Sequence, residues 1–97
     1  MIGLLKGYLY IKKVDKYCMH VVPAIEKYWN RIKGQEGDYT RLCHFASQLV
    51  SITLASSPYP HDSDIVKVAT CDMINKAGIH FLLKDYEYHI EQEPISE

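Results

Sequence analysis

Residues 38–64 read DYTRLCHFASQLVSITLASSPYPHDSD, a strongly apolar helical stretch that ends in a proline-punctuated turn. Wound as a helix, it puts Leu42, Cys43, Ala46, Leu49, Val50, Thr53 and Leu54 on one broad face, and Phe45 and Ile52 extend that surface round the side. His44, Ser47, Gln48 and Ser51 leave only a narrow polar stripe. Such a helix must be covered on most sides, so it should be central, with at least two other segments packed against it.

Working outward, two more helical repeats flank it. On the N-terminal side Val14, Tyr17, Cys18, Val21, Ile25, Tyr28 and Ile32 recur at steps of three and four. Pro23 interrupts that repeat, and one helix kinked there is preferred to two, because Val22 would be a poor N-cap. On the C-terminal side Val66, Ala69, Met73, Ala77 and Phe81 form a third stripe, widened by Ile65, Ile74 and Leu82; Gly78 marks a break or a close helix crossing. Gly34 suits the end of the first helix, Asp38 or Thr40 caps the second, and Asp62 or Ser63 caps the third.

The reading is therefore all-α: a single helical domain over residues 1–97, a small bundle of three main helices, with residues 92–97 as a flexible acidic tail. A small α+β domain is the alternative. Residues 7–14 begin with an aromatic and partly β-branched run, and residues 85–91 alternate polar with apolar, so short terminal strands could pair there.

The chain has 97 residues, 47% hydrophobic and 24% charged, which gives one domain a modest core that self-association into a homo-oligomer would enlarge. No apolar run reaches the length of a membrane span, and a secretory signal's apolar core is missing from the first residues. Cys18, Cys43 and Cys71 form no CxxC pair and sit within apolar patterns, so they read as buried reduced thiols in a cytoplasmic protein.

Formal net charge is −1 but divides unevenly, +5 through Lys33 and −6 from Gly34 onward. Either the two halves complement each other in the fold or they present patches to charged partners. No zinc-ligand spacing, GxSxG, P-loop or dinucleotide fingerprint occurs, so no catalytic residue, metal ligand or cofactor is assigned. Asp72, between Ala69 and Met73, reads as a hydrogen-bonded position at the edge of the third stripe. A pI near 6.5 and dispersed bases disfavour nucleic acid.

Tyrosine carries the sharper signal. Eight tyrosines and one tryptophan exceed what so small a core can enclose, and exposed rings of this type anchor protein interfaces. The expected function is a non-enzymatic interaction protein that blocks a partner protein's surface: an inhibitor, an immunity or anti-defence protein, or a small assembly subunit. Tyr59, His61, Tyr86 and Tyr88 are the expected contacts. The alternative is an oligomeric binder of a small nucleotide or other anion, using Tyr8, Tyr10, Lys12, Lys13 and Lys16.

Overall fold

The computed structural model describes residues 12–59 and 62–92, and among these the fold is all-α with no strand. In chain order the elements are α1 (residues 12–18), a 3-10 turn (Met19–Val21), α2 (Val22–Ile32), α3 (Asp38–Ala55), α4 (Ser63–Lys76) and α5 (Leu83–Gln92).

The interruption expected at Pro23 takes the form of that 3-10 turn. Val22 N–H donates to the Met19 carbonyl, and Cys18, Val21 and Val22 keep right-handed helical backbone angles. Pro23 lies in the first turn of α2, where its missing N–H costs no internal hydrogen bond. Val14, Cys18, Val21, Ile25 and Ile32 of the N-terminal repeat are buried.

As expected, α3 is the central helix. It packs against the 3-10 turn, α2, α4 and α5, with Leu42, Cys43, Ala46, Val50, Thr53 and Leu54 buried. Leu49 and Phe45 are half-buried, Phe45 stacking on Tyr28 with ring centroids 4.1 Å apart. Ile52 departs from the expected surface and is 68% exposed.

The link into α3 is a type II turn: Lys33 is extended, Gly34 has φ 88°, and Gln35 N–H donates to the Ile32 carbonyl at 3.0 Å. Gly37, at φ 73°, takes the N-cap position. Asp38 acts one residue inside the helix, its carboxylate accepting from Gly34 N–H and Tyr39 N–H at 2.9 and 2.7 Å. Thr40 does not cap; its hydroxyl donates to the His89 carbonyl on α5. Asp62 caps α4 as expected, accepting from Ile65 N–H at 3.0 Å.

The third stripe does not run unbroken to Phe81. It stops at Lys76 because Gly78, at φ 88°, closes a Schellman motif in which Ile79 N–H donates to the Ile74 carbonyl and Gly78 N–H to that of Asn75. The Asn75 side chain then clamps the turn from both sides: its Nδ2 donates to the Phe81 carbonyl and its Oδ1 accepts from Phe81 N–H, at 2.9 and 2.7 Å. This folds Phe81 into the core and starts α5 in a new direction. The chain from residue 83 to 92 is thus a separate helix, and residues 85–91 are not a strand. Residues 12–14 are helical too, while residues 7–11 of the other proposed strand, and the tail residues 93–97, lie outside the described residues.

A Cβ at Gly78 would meet no atom within 4 Å, so Gly78→Ala isolates the left-handed backbone cost. Chemical denaturation should show a loss of about 1–2 kcal/mol. Asn75→Ala, which deletes two neutral hydrogen bonds, should lose a similar amount, roughly 1–2 kcal/mol.

Candidate functional site

Two surfaces concentrate chemistry. The first begins with α1, where Lys12, Asp15, Lys16 and Met19 recur at steps of three, one and three and so share a face. Lys13 flanks that face and Lys76, the last residue of α4, stands opposite; the six residues line a cleft of about 580 Å³. Of the residues expected for an anion site, Lys12, Lys13 and Lys16 line this cleft, while Tyr8 and Tyr10 lie outside the described residues. Lys76 was not foreseen, because nothing in its local spacing ties it to α1.

At the edge of this cleft the Asp15 side chain is only 13% exposed and its Oδ1 is buried without a hydrogen-bond partner. The Lys76 ammonium is 4.0 Å from Oδ2. Burial, then a hydrogen bond and like charge from Asp72, push the Asp15 carboxyl up from 3.8 to about 8, with Lys76 and Lys12 pulling the other way. Desolvated and beside a second carboxyl, Asp15 therefore keeps its proton at neutral pH. Asp72 is half-buried at its stripe's edge, and its carboxyl acts on that of Asp15.

The second surface is a run of rings across the ends of α2, α3 and α5. Trp29 packs on Tyr39 at 5.0 Å between centroids, Tyr39 stacks on His89 at 5.5 Å, and Tyr88 meets His89 edge-on at 5.2 Å. Buried Phe81 backs the run, 5.3 Å from Tyr39 and 5.9 Å from His89. The bond from Thr40 to the His89 carbonyl ties α5 to α3 at this point. Tyr88 is 58% exposed and Tyr39 36% exposed, while Trp29 and His89 are half-buried.

Of the expected protein contacts, Tyr88 belongs to this run. Tyr86 is corrected: it is buried in the core, and burial raises its hydroxyl's pKa, so it is not offered to a partner. Residues 86 and 90 lie one helical turn apart facing the core, whereas 88 turns outward. Tyr59 is half-buried and packs edge-on against Tyr17 at 6.0 Å, and the Tyr17 hydroxyl donates to the Ser56 carbonyl. His61 lies outside the described residues.

The three thiols are free and buried. Burial raises Cys18 to about 11, and Cys43 and Cys71 to about 12, so none is an active thiolate near neutral pH. Among the described residues no three His, Cys, Asp or Glu side chains converge on a metal position, and no helix is long and apolar enough to cross a membrane.

Two measurements follow from these ionisations. Unfolded Asp15 titrates near 3.8 and folded Asp15 near 8, so the native state keeps a proton that the unfolded chain gives up between those values. Its stabilising effect is full below about pH 4 and lost as pH rises to 8. Urea titrations at pH 5 and 8 should show wild type losing on the order of 1–3 kcal/mol over this window relative to Asp15→Asn. A thiol-reactive dye at pH 7 should leave the native cysteines unlabelled over the time in which denaturant exposes all three.

Comparison of the chain with protein-family models, with curated proteins and with solved structures finds no match in any of the three.

Proposed function

We propose that this chain is a non-enzymatic interaction protein that works by occupying a partner protein's surface, as an inhibitor, an immunity or anti-defence protein, or a small assembly subunit. The observation that carries this reading is the run of rings Trp29, Tyr39, His89 and Tyr88, gathered from three helices and left partly open to solvent. Large rings with few rotatable bonds give up apolar area at small entropic cost, and their hydroxyl and ring nitrogens still meet polar groups. Asp85 and Glu87 lie on the same helix as Tyr88 and His89, so a partner with a basic rim fits best.

A second reading, binding of a small nucleotide or other anion, is favoured by the lysine-lined cleft of α1 and α4.

The test of the first reading is the stoichiometry and affinity of the complex isolated from the protein's source cells. Native mass spectrometry should give a heteromeric peak. Tyr88→Ala should weaken that purified complex by roughly thirtyfold, the effect of losing about 2 kcal/mol at an interface anchor. Ile52→Ala, an equally accessible apolar position on α3, should change it less than twofold. A chain that stays free of protein partners, or a complex indifferent to Tyr39→Ala and Tyr88→Ala alike, would remove the ring array as the contact surface.

A further inference from the structure

We propose that the cleft between α1 and the C-terminal end of α4 binds a small anion carrying a diphosphate or longer phosphate chain, held by Lys12, Lys13, Lys16 and Lys76. This rests on the anion reading of that cleft and gives it a ligand class.

The charge of the site selects the ligand. Lys12, Lys13, Lys16 and Lys76 line the cleft, and among the described residues Asp15 is the one acidic residue beside them. Because burial and the neighbouring Asp72 push the Asp15 carboxyl up to about 8, Asp15 adds little negative charge at neutral pH and the four lysines leave the cleft cationic. A lone phosphate or a simple carboxylate leaves most of that charge unanswered; a diphosphate matches it.

Donor type points the same way. Lysines act as mobile point charges that wrap a flexible phosphate chain, whereas a planar carboxylate is better met by the fork of an arginine. The Lys76 ammonium is 4.0 Å from Asp15 Oδ2 and the Lys76 side chain is 42% exposed, so it turns to a ligand at little cost. The Met19 side chain, 45% exposed at the end of the same face, and the lysine stems supply apolar wall for whatever group carries the phosphates. A volume of about 580 Å³ is that of a small-molecule site.

The groups facing Asp15 are Lys12 from its own helix and Asp72 and Lys76 from α4. When the Asp15 proton leaves, one more negative charge stands beside the phosphates. Affinity should therefore fall with rising pH in wild type relative to Asp15→Asn.

Calorimetric titration with inorganic pyrophosphate, with orthophosphate and citrate for comparison, tests the assignment. One equivalent of pyrophosphate should bind at pH 7, at least tenfold more tightly than orthophosphate or citrate. Lys16→Glu and Lys76→Glu, both at exposed positions, should each weaken it by roughly tenfold or more, and Lys84→Glu on α5, an equal change of net charge, by less than twofold. Asp15→Asn should bind as wild type does at pH 6.5 and about fivefold more tightly at pH 9. Citrate binding as tightly as pyrophosphate would overturn the phosphate class but keep an anion site. Failure of all three anions to saturate the protein, or equal losses in Lys84→Glu, would remove the anion reading itself.

Discussion

A helix of eighteen residues with apolar side chains over most of its circumference has to be enclosed, and the rest of this chain is arranged to enclose α3. Burying Leu42, Ala46, Val50 and Leu54 removes apolar surface worth roughly 1.5–3 kcal/mol for each larger side chain. No single partner helix covers more than one side. The chain therefore has to reverse at both ends of α3 and again after α4, and each reversal is held by specific polar groups. Asp38 bonds two backbone amides at the first, Asp62 caps the exit from the second, and Asn75 clamps the third.

Those reversals explain how much of the fold could be read in advance. The period of α3 and of the N-terminal stripe was plain, because apolar residues at three- and four-residue steps have one inexpensive solution. The α4–α5 boundary was not, since Ala77 and Phe81 continue the α4 step while Phe81 is buried by a different route. What ends α4 is the positive φ of Gly78 and a side-chain clamp six residues long, neither of which alters the apolar period. Residues 85–91 allowed two readings, since polar and apolar residues alternate there; the helix of the all-α reading is what forms, with Tyr86 and Ile90 one helical turn apart and packed on the core.

The candidate sites divide along the same line. Lys12, Lys13 and Lys16 are neighbours in sequence and were legible as a basic group. Lys76 and Asp72 join them only through the α1–α4 packing, and Trp29, Tyr39 and His89 meet only because three helix ends converge. The uneven charge also acquires a different meaning. One contact between the two halves runs against their net signs: Asp15, an acid of the basic half, lies 4.0 Å from Lys76, a base of the acidic half. Lys12, Lys13 and Lys16 of the basic half are exposed and line the cleft.

Both surfaces are carried by the continuous helical path from residue 12 to residue 32, lysines near its beginning and Trp29 near its end. Seventeen residues of helical rise separate Lys12 from Trp29, roughly 25 Å. No side chain is shared between the cleft and the ring array, and substitutions so far apart normally act additively. Coupling would need an element with two discrete arrangements that both sites bias. The 3-10 turn at Met19–Val21 is where the path is least regular, and Val21 is held in the core there while His20 Nε2 lies 3.4 Å from the Thr53 hydroxyl of α3. Anchored to the central helix at that point, α1 and α2 present a lysine-lined cleft and an aromatic surface as two separate surfaces on one frame.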